Sequence, residues 1–275
     1  MFGFLRDWNA RRIVRLHPIP EIRWRQSLGA IPILQSLSPE ETARLRTLAT
    51  LFLCRKSFVT AGDLVLAPWM CDVIAVQACY PILNLGFSWL DGWRTVIVYP
   101  GRFLRRRCEI DDIGVMHEWT DVLRGESWQR GPVVFSWADV AGSGLGDGYN
   151  VIIHEIAHKL DMLNHHADGF PPIHRSMPVR AWTRAFTDAY QALKADLQRG
   201  EDTVIDPYAA ESPAEYFAVL SKYFFERPQL IHARYPQVYQ QLAAFYRQDP
   251  ATRLEPVVWD EIPQDQDASG PTERT

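Results

Sequence analysis

Two histidines and a glutamate stand at a fixed spacing near the middle of the chain, in His154-Glu155-Ile156-Ala157-His158. Residues four apart lie one above the other on a helix, so the two imidazoles can reach a single metal ion. Glu155 projects beside them, where its carboxylate could take a proton from a metal-bound water molecule. This arrangement is typical of zinc peptidases. Three fixed positions also arise by chance in roughly one chain in a hundred of this length, so the alternative is an amphipathic helix whose histidines face solvent.

The neighbouring residues predict the helix that carries this pattern. Asp147-Gly148-Tyr149-Asn150 favours a turn that ends in an N-cap asparagine, followed by a helix from about Val151 to Leu163. A step of about 100° per residue places His154, Glu155, His158 and Asp161 on one side of it. The apolar residues fall on the other side, namely Ile152, Ile153, Ile156, Leu160 and Leu163. Such a helix can pack against a core through one face and present polar groups on the other.

Catalytic zinc usually has three protein ligands and one open position, so a third ligand is expected. A histidine ligand of the HExxHxxGxxH kind would require glycine at 161 and histidine at 164, where this chain has Asp161 and Asn164. A glutamate is the other common solution, and Glu215 and Glu211 are the candidates. Glu215 precedes an apolar helical stretch, where burying a carboxylate is costly without a metal or a partner. Ser212 and Glu215 also fit a capping box, which would explain Glu215 without a metal. Glu215 is nevertheless the preferred third ligand, and Glu211 stays as the alternative.

Composition indicates a folded protein without a nucleic-acid partner. The chain has 275 residues, 47% of them hydrophobic and 23% charged, with a formal charge of −4. We divide it into a basic, Arg-rich N-terminal segment (1–19), a single domain (20–260) and a polar tail expected to be disordered (261–275). The start lacks a signal-peptide apolar run, and the uncharged stretch 73–90 contains Gln77 and Pro81, which favours a buried helix and a turn over a membrane span. We therefore expect a cytoplasmic monomer with no membrane contact.

The pattern of elements indicates an α+β fold, mainly helical, with a small sheet beside the HExxH helix. Strands are predicted at Thr95–Tyr99 and Val133–Trp137, and Lys56–Thr60 is predicted as a strand or a loop. Residues 20–35 are predicted as a loop. Val133–Trp137 is interpreted as an edge strand that could pair with an extended substrate, or else as an ordinary core strand. Helices are predicted at about 38–52, 67–80, 178–198, 213–225 and 228–247.

Several longer segments resemble the Mlc titration factor A family, a group of glucose-regulated zinc peptidases of the gluzincin type. The similar segments are 148–161 (GYNVIIHEIAHKLD), 206–210 (DPYAA), 212–221 (SPAEYFAVLS), 77–86 (QACYPILNLG) and 91–100 (DGWRTVIVYP). The resemblance extends over roughly residues 20–250. Together these motifs are far more specific than HExxH alone.

This resemblance implies a cytosolic peptidase with a gluzincin-like catalytic core, related to the protease domain of anthrax lethal factor. It implies one zinc ion per chain on His154, His158 and Glu215, with Glu155 as catalytic base and Tyr208 near the site. It also implies aminopeptidase activity and binding to the glucose-responsive repressor Mlc.

Some roles and functions stay open at this point. Tyr208 could donate a hydrogen bond to the tetrahedral oxyanion or simply pack in a Pro-Tyr turn. Asp161 could orient a ligand histidine or make an ordinary contact at the helix end. Instead of a peptidase, the protein could act chiefly as a repressor-binding protein, or as a zinc hydrolase for another substrate.

Overall fold

The structure is a computed structural model that describes residues 2–101, 103–110, 116–123, 125–127 and 131–253. The predicted disordered tail, 261–275, lies outside these residues. Among the described residues the protein is mainly helical, as predicted. The helices, in chain order, are α1 (Phe2–Leu16), α2 (Glu21–Gly29), α3 (Pro39–Arg55), α4 (Pro68–Cys79), α5 (Trp137–Ala141), α6 (Val151–Asp161), α7 (Val179–Gln198), α8 (Pro213–Glu226), α9 (Pro228–Arg234) and α10 (Pro236–Tyr246).

The described residues contain six strands, which form two sheets. They are β1 (Ser57–Thr60), β2 (Thr95–Tyr99), β3 (Phe103–Ile110), β4 (Met116–Leu123), β5 (Gly125–Ser127) and β6 (Val133–Ser136). The larger sheet has the order β1-β2-β6-β5, in which β1, β2 and β6 run parallel and β5 is antiparallel to β6. Strands β3 and β4 form a separate antiparallel pair. The predicted small sheet is therefore present, although β3, β4 and β5 were not expected from the sequence.

The interpretation of Val133–Trp137 as an edge strand is wrong. Strand β6 ends at Ser136, all four of its side chains are buried, and it lies between β2 and β5. Continuous burial is typical of an interior strand whose two faces are both covered. The edge of the sheet on this side is β5, which packs beside α6. A three-residue strand that begins at Gly125 has too little pattern to be recognised in the sequence.

Two helix predictions also need correction. Residues 20–35, predicted as a loop, contain α2, because Pro20 occupies the N-cap position, where a missing N–H costs nothing. Helix α2 is tied to α4 by a bidentate ion pair, in which Arg23 Nε and Nη2 donate to the buried Asp72 carboxylate at 2.6 Å. The single helix predicted for 228–247 is two helices, because Pro236 forces Tyr235 out of helical geometry, to φ −132° and ψ 61°.

Helices α4, α6 and α8 form the centre of the molecule. Helix α6 packs against α8, α4 and β5, while α3 covers α4 from outside. Aromatic rings from α7, α8 and α10 fill the remaining space, including Trp182, Phe217, Phe224, Phe225 and Phe245, each at most 1% exposed. Removing one such ring typically costs about 3–5 kcal/mol. In the described part of the chain, no helix is long and apolar enough to span a bilayer.

Candidate metal centre

The HExxH helix begins where the sequence predicts, at Asn150, whose side chain caps the helix and also binds two neighbouring helices. Asn150 Oδ1 accepts the Ile153 N–H at 2.9 Å, which is an N-cap bond. Its Nδ2 donates to Gln77 Oε1 of α4 and to Glu226 Oε1 of α8, both at 2.7 Å. Because Asn150 is fully buried, these bonds fix the start of α6 against both neighbouring helices.

The polar side of α6 does not face bulk solvent. Glu155 is 3% exposed, His158 is 9% exposed and Asp161 is fully buried, while His154 is only partly exposed. The alternative of a solvated amphipathic helix is therefore wrong. Buried polar groups of this kind need partners or a ligand to offset the loss of hydration.

Helix α8 brings Glu215 to the two histidines. Ser212 Oγ accepts the Glu215 N–H at 3.2 Å, so the backbone is capped as one interpretation of the sequence expected. The Glu215 carboxylate itself lies against the imidazoles of α6, as the other interpretation required. Both interpretations hold together, because the backbone N–H of Glu215 binds Ser212 while its carboxylate contacts the two histidines.

Three potential ligand atoms form a small, nearly equilateral triangle. His154 Nε2 and His158 Nε2 are 3.2 Å apart, and Glu215 Oε2 lies 3.1 Å from the first and 3.3 Å from the second. Ligand atoms about 2.0 Å from a tetrahedral zinc ion would lie about 3.3 Å from one another. The donor set of two imidazoles and one carboxylate also fits catalytic zinc. The triangle therefore has the dimensions and chemistry of a three-ligand zinc site.

The protonation states of the cluster suit a cation. Burial lowers the pKa of His154 to about 4, so this imidazole is neutral at pH 7. Burial opposes the charged form of His158, but the carboxylates of Glu215 and Glu155 outweigh it and raise the pKa of this ring. Burial likewise disfavours the Glu215 carboxylate, yet the two histidines hold its pKa well below the usual range. A metal ion would compete with protons for these imidazole nitrogens, which makes its binding dependent on pH.

Of the other predicted residues, Tyr208 lies at the rim of this cluster and Glu211 lies outside it. The rings of Tyr208 and His154 have centroids 6.4 Å apart, and Tyr208 is 47% exposed. Burial of its hydroxyl, and then the charges of Glu215 and Glu155, raise the pKa of Tyr208, so the phenol keeps its proton at neutral pH. Glu211, the alternative ligand, is exposed and is not part of the three-residue cluster.

Asp161 contacts the loop that follows α6. Its Oδ2 accepts the Gly169 N–H at 2.8 Å, which is a contact at the helix end. Burial, opposed by this hydrogen bond, raises the pKa of Asp161 to about 6.

Sequence reasoning missed the buried polar residues around the centre. Glu226 is 2% exposed, and its Oε2 accepts the Gly146 N–H at 2.7 Å. Lys159 is 3% exposed, and its Nζ donates to the Gly131 carbonyl at 2.9 Å. The available signal was Glu226 and Gln77, a carboxylate and an amide that each lie within an apolar stretch of α8 and α4.

A His-His-Glu cluster on two packed helices is typical of metallo-peptidases. Comparison with known proteins gives the family. The chain matches the family described as "Glucose-regulated metallo-peptidase M90" over residues 5–247, and it belongs to that family. Similar proteins include the "Mlc titration factor A" of Yersinia pestis (strain Pestoides F) and of Yersinia pseudotuberculosis serotype O:1b (strain IP 31758). Each is 40% identical over 235 residues, which cover 84% of this chain and 86% of the relative. The resemblance inferred from the sequence is confirmed, and the family implies a metal ion.

Proposed function

We propose that this protein is a zinc-dependent aminopeptidase with a gluzincin-type core, in which His154, His158 and Glu215 bind one zinc ion. The triangle of ligand atoms, with edges of 3.1, 3.2 and 3.3 Å, is the observation that carries the proposal. Bound zinc would supply Lewis-acid chemistry, which acidifies a water molecule and polarises the scissile carbonyl. Membership of a metallo-peptidase family supports this assignment.

Glu155 is proposed as the general base and then the general acid. It follows His154 on α6 and is almost fully buried, and its charge is among the causes that raise the pKa of both His158 and Tyr208. These observations support a role for Glu155 beside the proposed metal ion. Its carboxylate would accept a proton from the attacking water and pass it to the leaving amine. Burial strengthens both steps, because little water competes for the carboxylate.

Tyr208 is proposed to stabilise the oxyanion of the tetrahedral intermediate. A phenol that keeps its proton can donate a hydrogen bond where negative charge develops. Its half-exposed position beside His154 suits a group that meets substrate from the solvent side. The outer edge of β5, which pairs with no other strand among the described residues and lies next to α6, is the proposed binding place for an extended peptide.

The decisive experiment compares wild type with Glu155→Gln, using peptides with free and with acetylated N-termini. We expect one zinc ion per chain in both proteins, with hydrolysis reduced about 100-fold or more in the variant. Hydrolysis of free peptides alone would indicate an aminopeptidase. An exposed-carboxylate control, Glu201→Gln, should match wild type. Unchanged hydrolysis in Glu155→Gln would remove this residue from the mechanism, and zinc binding without any peptide hydrolysis would favour another substrate class.

We propose a second function, binding of an Mlc-like repressor, because relatives that are 40% identical are named Mlc titration factor A. For both functions we propose that the protein is a cytoplasmic monomer whose single domain spans residues 20–260. Repressor binding does not need the proton transfer assigned to Glu155. Capture of purified repressor by Glu155→Gln at wild-type affinity would therefore separate binding from catalysis, and loss of capture would tie the two together.

A further inference from the structure

The loop after α6 lies directly on the first turn of α8. Gly169 has φ +76°, and a Cβ added there would stand 2.3 Å from the Pro213 carbonyl oxygen and 3.4 Å from the Ala214 nitrogen. No side chain fits at these distances, so the loop backbone and the helix backbone are in contact. This contact is two residues before Glu215.

The same glycine is attached to α6. The Gly169 N–H donates to Asp161 Oδ2 at 2.8 Å, and Asp161 is fully buried. Asp161 is three residues after His158, on the same side of the helix. Asp161 and Gly169 thus connect the helix of the histidines with the helix start that carries the glutamate.

The loop between these two residues is itself held in shape. Asn164 Nδ2 donates to the Phe170 carbonyl at 2.7 Å, and its Oδ1 accepts the His166 N–H at 3.0 Å. The Phe170 ring packs edge-on against Trp182 of α7. A loop that is closed by its own hydrogen bonds and packed on the core can hold α6 and the start of α8 at a fixed distance.

We infer that Asp161 and Gly169 are positioning residues, which set the distance between the histidine pair of α6 and Glu215 of α8. The inference rests on the proposed metal centre. Neither residue touches substrate or metal in this role. Their effect is to hold Pro213–Ala214, and with it Glu215, at the spacing that a zinc ion requires. Residues that orient metal ligands typically change metal affinity about 10- to 100-fold when they are replaced.

Replacement of Asp161 by asparagine and by leucine tests this directly, with zinc affinity measured by chelator competition. Asp161→Asn keeps an acceptor for the Gly169 N–H and should bind zinc within a few-fold of wild type. Asp161→Leu has similar size but no acceptor, and we expect about 10-fold weaker binding. Leu45→Ala, in the remote part of the core on α3, is the control for general destabilisation and should leave zinc affinity unchanged.

Gly169→Ala supplies an independent arm, because it perturbs the same contact from the loop side. It should weaken zinc binding as Asp161→Leu does, and cobalt-loaded samples of both should show altered visible absorption. Equal affinities for the asparagine and leucine variants would overturn the inference, as would wild-type affinity in Gly169→Ala. If Gly169→Ala does not fold, the Asp161 pair decides alone. Absence of stoichiometric zinc in wild type would instead overturn the proposed function.

Discussion

Replacing Asn150 by alanine should be far more damaging than loss of an ordinary helix cap. The N-cap bond to Ile153 contributes about 1 kcal/mol. The bond to Gln77 contributes about 1 kcal/mol. At pH 8, where the Glu226 carboxyl is ionised, the bond to it contributes about 2 kcal/mol because its acceptor is charged. We therefore expect Asn150→Ala to lower the free energy of unfolding by about 4 kcal/mol. Ser38→Ala, which removes a single cap bond at the start of α3, should cost about 1 kcal/mol.

Urea unfolding followed by circular dichroism measures both changes, with the zinc-free protein used throughout so that metal binding does not contribute. The ratio between the two variants matters more than either value, because errors in the extrapolation to water affect both alike. A cost near 1 kcal/mol for Asn150→Ala would refute the reasoning, since it would mean that only the cap bond contributes.

Three further predictions concern charge and chemistry. Burial raises the pKa of Glu226 from 4.5 to about 7. The folded state therefore gains stability from the protonated carboxyl, fully below pH 4.5, and loses this contribution as the pH rises through 7. The stability of wild type relative to Glu226→Gln should therefore fall by about 3 kcal/mol across this range in urea titrations, and a flat difference would contradict the raised pKa. Glu215→Ala should lose zinc in metal analysis, whereas the exposed Glu211→Ala should keep it, and the reverse outcome would make Glu211 the ligand. Tyr208→Phe should lower kcat about 100-fold in steady-state kinetics with little change in KM, and an unchanged kcat would leave Tyr208 as a packing residue.

Local chemistry explains which parts of the fold could be predicted. The starts of α3, α6 and α8 were found because Ser38, Asn150 and Ser212 cap them with their own side chains. Such signals lie within a few residues of one another, so the sequence contains them completely. Proline was a weaker guide. Pro20 marks a helix start that was interpreted as a loop, and Pro236 breaks a segment that was interpreted as continuous.

In the candidate site, too, contacts within one helix could be predicted and contacts between distant elements could not. His154 and His158 are one helical turn apart, so their meeting follows from α6 alone. The approach of Glu215 depends on the packing of α8 against α6, which no local pattern contains, and residue reasoning left Glu211 open for that reason. The contact of Gly169 with Pro213 is equally non-local: the sequence shows a glycine before a proline pair but not the backbone that it meets.

The two helices that carry the cluster are separated along the chain by α7 and its flanking loops. An ion held by His158 and Glu215 would therefore act as a cross-link that closes this long segment into a ring. While the ring is closed, local opening of α7 gains less configurational entropy, so proteases should cut there more slowly. The supply of metal would then determine how long the protein survives proteolysis as well as whether it is active.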